Sequence, residues 1–306
     1  MVIKDPPVEI TENLWMFGTN QYPLYLFKGH TIFEGGIGAM GRLMREQMER
    51  LDIPRDSVKQ VVIPHGHPDH SMAVPSLREI FPGITVLASE AAAATLSAEK
   101  AISFFCDVDA QLTRSLMKAG LIAESHCPKP LAEKQIPVDV LLKEGDTLSI
   151  DGSRFRVLHT PGHSDCSLSF HEPDEGLLFI SDASGYYMPE FDCWWVNYFT
   201  GYETYIRSMQ RLAALEAETL CLGHLGVIRG AEDVKTYFDR AIDATEQYHR
   251  RIIEEARPGN TIRKIAEQLG SEVYEKTQLM PLEFLQKNCG LLVKQSLKHE
   301  GMTLDK

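Results

Sequence analysis

The segment VVIPHGHPDHSMAVPSLREIF places three histidines and one aspartate within six consecutive positions, directly after a run of strand-forming residues. Side chains two positions apart at a strand exit point to the same side, so His65 and His67 can converge on one ion. Asp69 and His70 follow at the predicted start of a helix and face a neighbouring point. Imidazole and carboxylate are ligands that suit zinc, iron(II), manganese or cobalt. The segment therefore predicts two adjacent metal sites, and a set of purely structural histidines is the less favoured interpretation.

Three later strand ends carry side chains of the same chemical kind. His163 lies in HTPGHSD, Asp182 in LFISDASG and His224 in CLGHLG, each after a predicted strand. A single histidine or aspartate in such a position is usually structural. In combination with the first cluster, and in this order along the chain, these three residues indicate the remaining ligands of one metal centre.

The order of the predicted elements indicates an α/β protein in which sheets and helices form layers. Short strands closed by glycine alternate with amphipathic helices, one of them predicted from Asp69 to Phe81. Residues 89–122 are almost all helix formers and predict a long helical insertion. Further on, the apolar spacing becomes purely helical. We expect a catalytic domain over residues 1–230 and a helical C-terminal extension over residues 231–306.

The composition argues against nucleic acid and membranes as partners. The chain of 306 residues has 31 basic and 43 acidic residues, a formal net charge of −12, and its basic residues do not cluster. Its first residues, MVIKDPPVEITENLW, form no apolar core, and no apolar run reaches the roughly 20 residues that span a bilayer. The six cysteines are scattered without a CxxC pair, which is typical of reduced thiols. We expect a cytoplasmic protein.

The motif HxHxDH, read here as HGHPDH, resembles the marker of the metallo-β-lactamase superfamily, and the resemblance extends from about residue 10 to residue 230. It implies an αββα sandwich with a dinuclear site at one edge. The two divalent ions would be zinc or iron, with manganese as a further option. The resemblance also implies the ligands, which are His65, His67 and His163 for the first ion, Asp69, His70 and His224 for the second, and Asp182 as the bridge between them.

Two features depart from the usual pattern of this superfamily. The segment TIFEGGIG carries Glu34 where an aspartate is common, and that residue normally supports the site from outside the set of ligands. The segment GHSDCS replaces the commoner Gly-His-Thr-Pro-Gly. This second change keeps the ligand His163 but alters the loop beside it.

Several segments are similar to the PqsE-like branch of the superfamily, which comprises quinolone-signal response proteins that act as 2-aminobenzoylacetyl-CoA thioesterases. These segments are PLYLFKGHTIFEGGIG, VLASEAAAATL, GHSDCSLSF, SDASG and PLEFLQKNCGLLVKQSL. That branch also ends in extra helices and holds a dinuclear iron site. The similarity is diffuse, so it suggests a subfamily and does not define a substrate.

A dinuclear centre of this kind predicts a metal-dependent hydrolase. A hydroxide shared by the two ions would attack the carbonyl of a small thioester, ester or lactone, and Asp69 would pass the proton to the leaving group. The segment SGYYMPEFDCWWVNYF follows a predicted ligand and is unusually aromatic. Substrate contacts are therefore predicted for its rings, with plain packing as the alternative, and the residues concerned are Tyr186, Tyr187, Trp194, Trp195 and Tyr198.

Three other functions are compatible with parts of the sequence. Flavodiiron oxidoreductases have a similar motif, but they carry glutamate at the position of His67 and a flavin-binding domain, for which the helical tail has no pattern. A regulatory or binding protein could retain the metal site while acting through a partner surface. A metal-dependent nuclease would share the centre, but the acidic balance weighs against it. The apolar stripes of the C-terminal helices allow a homodimer.

Overall fold

The structure, a computed structural model, describes residues 1–257, 259–277 and 280–302. Its strands in chain order are β1 (Val2–Ile3), β2 (Val8–Thr11), β3 (Leu14–Gly18), β4 (Pro23–Phe27), β5 (Thr31–Phe33), β6 (Gln60–Ile63), β7 (Thr85–Ser89), β8 (Val140–Leu142), β9 (Thr147–Ile150), β10 (Ser153–His159), β11 (Leu168–Glu172), β12 (Leu177–Ser181), β13 (Tyr186–Met188), β14 (Cys193–Trp195), β15 (Thr219–Leu222) and β16 (Val227–Arg229). The helices are α1 (Met40–Arg50), α2 (Val74–Ile80), α3 (Glu90–Leu96), α4 (Glu99–Lys118), α5 (Tyr202–Ala213), α6 (Ala231–Ala256), α7 (Ile262–Thr277) and α8 (Leu282–His299).

The strands form two seven-stranded sheets and a short hairpin. The first sheet runs in the order β2-β3-β4-β5-β6-β7-β8, and its strands from β5 onward are parallel. The second sheet runs in the order β1-β16-β15-β12-β11-β10-β9, with β12 and β15 as its parallel pair. Strands β13 and β14 pair only with each other. Parallel neighbours end at the same edge of a sheet, so the loops that follow them can meet there.

A layer of aromatic side chains joins the two sheets. Phe33 of the first sheet stacks on Phe179 of the second with 4.2 Å between ring centroids, and Phe27 meets Phe155 edge to face at 5.0 Å. All four rings belong to one buried apolar cluster between the sheets. Such pairs contribute about 0.5–1.5 kcal/mol each beyond the area that they bury. The sheets are therefore held face to face as one sandwich.

Helices cover both outer faces of this sandwich. Helices α1 to α4 share an apolar cluster with the outer face of the first sheet. Helices α5 and α6 cover the second sheet, and α7 and α8 pack against each other and onto α6. The predicted αββα sandwich with C-terminal helices is confirmed. The division into domains 1–230 and 231–306 stays a prediction, and residues 303–306 of the second lie outside the described residues.

Two predicted helices differ from the observed ones. The helix expected from Asp69 to Phe81 begins only at Val74, because residues Pro68–His70 form a 3-10 turn that presents the polar cluster. Pro75 lies in the first turn of α2, where a missing N–H costs no hydrogen bond. The insertion expected over residues 89–122 is interrupted between α3 and α4, where the Ser97 hydroxyl donates to the carbonyl of Ala93.

The cysteines and the helices bear on two further expectations. All six cysteines lie in the described part of the chain and are free thiols, as the absence of a CxxC pair predicted. Among residues 1–257, 259–277 and 280–302, no helix is both long and apolar enough to cross a bilayer.

Replacing Gly162 by alanine tests how closely the loop before His163 approaches α5. Gly162 has φ +124°, and a Cβ there would lie 2.4 Å from the Cα of Tyr205. We expect Gly162→Ala to lower the free energy of unfolding by more than about 3 kcal/mol, because backbone strain adds to a steric overlap. Urea-induced unfolding measures this loss.

Gly83→Ala is the matched control. Gly83 has φ +82°, and within the described structure a Cβ there would meet no atom closer than 4 Å. Only the conformational cost of about 1–2 kcal/mol then applies. Equal losses of stability in the two variants would contradict the role given to the contact with α5.

Candidate metal centre

Seven polar side chains from four strand ends meet at one edge of the sandwich. Strand β6 leads into the turn that carries the HGHPDH cluster, while β10, β12 and β15 lead to the three later residues. These side chains include two groups of three residues whose donor atoms lie within 4.8 Å of one another. We call His65, His67 and His163 the first donor group, and Asp69, His70 and His224 the second donor group.

The first donor group has the spacing of ligands around one small cation. The Nε2 atom of His65 lies 3.2 Å from the Nδ1 atom of His67. The Nε2 atom of His163 lies 2.9 Å from that Nδ1 atom and 3.2 Å from the Nε2 atom of His65. Nitrogen ligands of a tetrahedral ion at 2.0–2.1 Å are separated by about 3.4 Å. Three nitrogen atoms thus surround a point at which a divalent ion fits.

The carboxylate of Asp182 faces both donor groups. Its Oδ2 atom lies 3.4 Å from the Nε2 atom of His163, in the first group. Its Oδ1 atom lies 3.4 Å from the Nε2 atoms of both His70 and His224, in the second group. The Oδ2 atom of Asp69 lies 3.6 Å from each of the same two nitrogen atoms. One oxygen of Asp182 toward each group is the arrangement of a bridging ligand.

Two buried atoms of the centre make no hydrogen bond of acceptable geometry in the described structure. They are the Nε2 atom of His70 and the Oδ1 atom of Asp182. A buried polar atom without a partner costs roughly 1–3 kcal/mol. A cation coordinated by both atoms would remove this cost, and the donor set of imidazole and carboxylate is the one that zinc, iron and manganese accept. The residues present therefore fit a divalent metal pair.

Outer hydrogen bonds orient the histidine rings. His224 donates from Nδ1 to the carbonyl of Gln21 at 2.5 Å, and His163 donates from Nδ1 to the carbonyl of Asn197 at 3.1 Å. The Nδ1 atom of His70 lies 2.6 Å from the carboxylate of Glu34. Such bonds leave each Nε2 atom free to coordinate a metal. Glu34, which departs from the usual aspartate, thus still supports the site from outside the ligand set.

Backbone strain is concentrated beside these residues. Glu34, Ser181 and Leu225 have φ values of +75°, +48° and +63°, in the left-handed region that side chains rarely adopt. Each costs of order 1–3 kcal/mol. Glu34 contacts His70, while Ser181 and Leu225 adjoin Asp182 and His224 in the sequence. The strain therefore coincides with the positions that aim the polar side chains.

Burial keeps the first donor group neutral. It lowers the pKa of His67, and together with the neighbouring imidazoles it lowers the pKa of His65 well below the usual value. Burial also lowers the pKa of His163 to about 3. Neutral imidazole is the form in which histidine binds a metal. The first donor group is thus ready to coordinate at neutral pH.

Charge is shared differently in the second donor group. Burial disfavours the charged ring of His70, but Asp182 and Asp69 raise its pKa well above the usual value. Burial likewise disfavours the charged carboxylate of Asp182, yet His70 and His224 lower its pKa well below the usual value. The carboxylate between the two donor groups therefore carries a negative charge, which a nearby cation would stabilise.

A cavity of about 370 Å³ lies directly over the centre. Its floor includes His67, Asp69, His163, Asp182 and His224. Its walls come from α4, from α8 with the residues just before it, and from the aromatic segment, and they are Phe104, Phe105, Val108, Gln111, Leu112, Tyr186, Trp195, Asn197, Phe199, Thr200, Met280, Pro281, Phe284, Asn288 and Leu291. Among the described residues that line it there is no lysine or arginine. This is an apolar pocket with a polar floor.

The aromatic residues predicted to contact substrate divide between two sides of the β13–β14 hairpin. Tyr186 pairs with Trp195, and both line the cavity. The next pair, Tyr187 and Trp194, points to the opposite side, as alternation along a strand requires, and packs against Tyr237 of α6. These two residues therefore lie away from the cavity, in the position of the packing alternative.

Tyr198 also lies away from the cavity. It is fully buried, and its hydroxyl lies 2.8 Å from the hydroxyl of Ser296 in α8. Its ring packs near Tyr202 and Tyr205 of α5. The structure thus places this residue at the junction of α5 and α8 and not among the residues that line the pocket.

Sequence reasoning did not identify several residues of the cavity. Phe104 and Leu291 are apolar yet exposed, which is a signal that their helices border an open pocket. Asn197 is buried, its Oδ1 atom has no partner in the described structure, and it lines the cavity. No sequence signal distinguishes it, because a single asparagine after a strand is ordinary loop chemistry.

Comparison with known proteins identifies what this arrangement is similar to. Residues 20–224 match the family model of the metallo-beta-lactamase superfamily. A hydroxyacylglutathione hydrolase of Cereibacter sphaeroides is 33% identical over 107 residues, which cover 35% of this chain and 37% of that protein. The acyl-coenzyme A thioesterase MBLAC2 of Gallus gallus is 30% identical over 175 residues, which cover 56% of this chain and 57% of that protein. The chain thus spans less than two thirds of each of these relatives.

A solved structure shows the same fold along nearly the whole chain. It is the metallo-beta-lactamase family protein TTHA1429 of Thermus thermophilus, which superposes with a TM-score of 0.64. The match covers 96% of this chain and 95% of that protein, at 21% identity. At this level of identity the likeness concerns the fold, and the C-terminal helices lie within the matched length.

Glu34→Ala tests whether the outer carboxylate holds His70 in place. We expect the variant to bind the ion of the second donor group about 10–100-fold more weakly, because the imidazole loses the partner that orients it. Metal content after dialysis against graded chelator, measured by elemental analysis, reports this change. The first donor group should keep its ion.

Glu46→Ala is the control for this variant. Glu46 pairs with His126 at 2.7 Å, so the substitution removes a similar contact between a carboxylate and a buried imidazole away from the centre. Metal retention should then equal that of the unmodified protein. Unchanged affinity in Glu34→Ala would contradict the role of Glu34.

Proposed function

Because the chain belongs to the metallo-β-lactamase superfamily, we propose that it is a dinuclear metal-dependent hydrolase that cleaves thioesters, with esters and lactones as related substrates. The observation that carries this proposal is the carboxylate of Asp182, whose two oxygens each face a separate group of donors at 3.4 Å. Two ions held there would share the charge of one reacting water molecule. Such a centre suits attack on a carbonyl carbon.

The ions would be zinc or iron, with manganese as a further option. The residues that would hold them are His65, His67 and His163 on one side, Asp69, His70 and His224 on the other, and Asp182 between. When bound, two divalent ions would lower the pKa of water to about 7 and so supply hydroxide at neutral pH. No serine or cysteine nucleophile is then required.

Asp69 is the residue in position to move the proton. Its carboxylate borders the cavity and lies 3.6 Å from the nearest nitrogen atoms of the second donor group. It can accept the proton released by the attacking water and deliver it to the sulfur or oxygen of the leaving group. The carbon–sulfur or carbon–oxygen bond then breaks, and the products are a carboxylic acid and a thiol or an alcohol.

The cavity walls indicate the kind of acyl group. Phe104, Leu112 and Phe284 offer apolar surface, and the described lining residues include no lysine or arginine to pair with an anionic acyl chain. The unpartnered Oδ1 atom of Asn197 can accept one hydrogen bond from a polar group on the substrate. A small apolar or aromatic acyl group with one donor fits this lining. The names of the two relatives, a hydroxyacylglutathione hydrolase and an acyl-coenzyme A thioesterase, support a thioester.

The other functions considered receive less support. A flavodiiron oxidoreductase would need glutamate at position 67, where a histidine nitrogen lies 2.9 Å from His163. The described residues after β16 are helical, without the alternating strands of a flavin domain. A regulatory role through a partner surface, a homodimer and the exclusion of nucleic acid stay predictions.

The decisive experiment combines elemental analysis with a substrate panel. Protein that holds two ions per chain should hydrolyse at least one of the acyl-CoA, acyl-glutathione and lactone substrates offered, and it should leave a phosphodiester intact. Asp69→Asn should lower kcat/KM by about 10²–10⁴-fold per metal-loaded chain, since the variant cannot carry the proton. His126→Ala, away from the centre, should retain activity. A fully metallated sample that hydrolyses none of the acyl substrates would contradict the proposal.

Two substitutions on one helix test whether the cavity over the centre holds the acyl group. Val108 lines the cavity over the centre, whereas Ala110, two positions later in α4, lines a different surface cavity. We expect Val108→Phe to lower kcat/KM for the largest acyl groups at least about 10-fold and to spare the smallest, because the added ring occupies acyl space. Ala110→Phe should leave the preference unchanged. A shift of preference toward small acyl groups in both variants, or in neither, would contradict the assignment of the acyl pocket.

A further inference from the structure

A third group of metal-binding side chains lies at the opposite end of α8 from the cavity. His249 projects from α6, while His299 ends α8 and Glu300 follows it. One donor atom from each of the three lies within 4.8 Å of the other two. Leu291 is the last residue of α8 that lines the cavity, and eight residues of helix place His299 about 12 Å further along the axis. This group is therefore separate from the catalytic centre.

The contacts inside this group are those of ligands that share a point. The Nε2 atom of His249 lies 3.1 Å from a carboxylate oxygen of Glu300. The rings of His249 and His299 meet nearly at right angles, with 5.4 Å between centroids. Both rings pack against Tyr202, which stacks on His249 at 4.0 Å. The ring of Tyr202 thus contacts both imidazoles and keeps them close together.

The imidazole of His249 has a hydrogen-bond partner at only one of its two nitrogen atoms in the described structure. Its side chain is buried, and its Nδ1 atom makes no hydrogen bond in the described structure. A buried imidazole beside a second imidazole and a carboxylate is the donor set of many zinc sites.

We infer that His249, His299 and Glu300 form a separate site for one borderline divalent ion of the zinc class, which ties the end of α8 to α6. Ligands of a tetrahedral ion lie about 3.4 Å apart, whereas the donor atoms of these three side chains lie within 4.8 Å of one another. His299 and Glu300 are exposed at a helix end, so their side chains can rotate to close this distance. A water molecule would complete the coordination.

The test compares metal content and thermal stability in matched variants. Full-length protein with its catalytic centre loaded is titrated with Zn²⁺ alone, desalted and analysed for bound metal. The unmodified protein should retain one more ion per chain than His299→Ala and Glu300→Gln. Loss of one ligand should weaken this ion by more than the about 10–100-fold that loss of an outer partner costs. Added Zn²⁺ should raise the Tm of the unmodified protein but not the Tm of His299→Ala or Glu300→Gln, because the ion binds the folded state.

His126→Ala is the control, since His126 also pairs with a carboxylate but has no second imidazole in its cluster among the described residues. It should keep the extra ion. Acyl hydrolysis by His299→Ala should stay at the unmodified level, so a failure here is distinct from a failure of the proposed function. Equal metal content in the unmodified protein and His299→Ala, or loss of the ion in His126→Ala as well, would overturn the inference.

Discussion

The buried carboxylate of Asp182 is the constraint on which the rest of the site depends. It lies in a closed position between two groups of donors, where a negative charge without a cation is strongly unfavourable. His70 and His224 stabilise this charge in part. The Oδ1 atom of Asp182 and the Nε2 atom of His70 still lack hydrogen-bond partners in the described structure. A cation coordinated by both atoms would remove this cost, and the strained residues Glu34, Ser181 and Leu225 contact or adjoin donors of the centre.

The two sheets make this centre possible because their strand ends meet at one edge. Strand β6 of the first sheet and strands β10, β12 and β15 of the second deliver all seven donors. The aromatic layer of Phe27, Phe33, Phe155 and Phe179 fixes how the sheets face each other, and so it fixes the distance across the centre. The geometry of the centre thus depends on core packing between residues that are not themselves donors.

The sequence predicts much of the centre because its signal is local. Three histidines and an aspartate within six positions need no tertiary information, and the order of the later strand ends supports the remaining donors. The start of α2 at Val74 was not predictable in the same way, because the polar turn and Pro75 override helical spacing. Tyr187 and Trp194 face away from the cavity because a two-stranded hairpin alternates its sides, and the sequence alone does not say which side faces the cavity.

The walls of the cavity were only partly predictable, since Tyr186 and Trp195 were predicted and line it, whereas the individual wall residues of α4 and α8 were not. Phe104 comes from the insertion and Phe284 and Leu291 from the C-terminal helix, two segments that carry no metal donor of the centre. In the proposed hydrolase, the metal donors and these wall residues therefore come from separate parts of the chain. Helix α8 lines the cavity with one end and presents His299 near His249 with the other. The length of α8 between these two ends is held by Leu292, Val293 and Leu297, which lie in the buried cluster that α8 shares with α6, so the pocket wall does not depend on the far end alone.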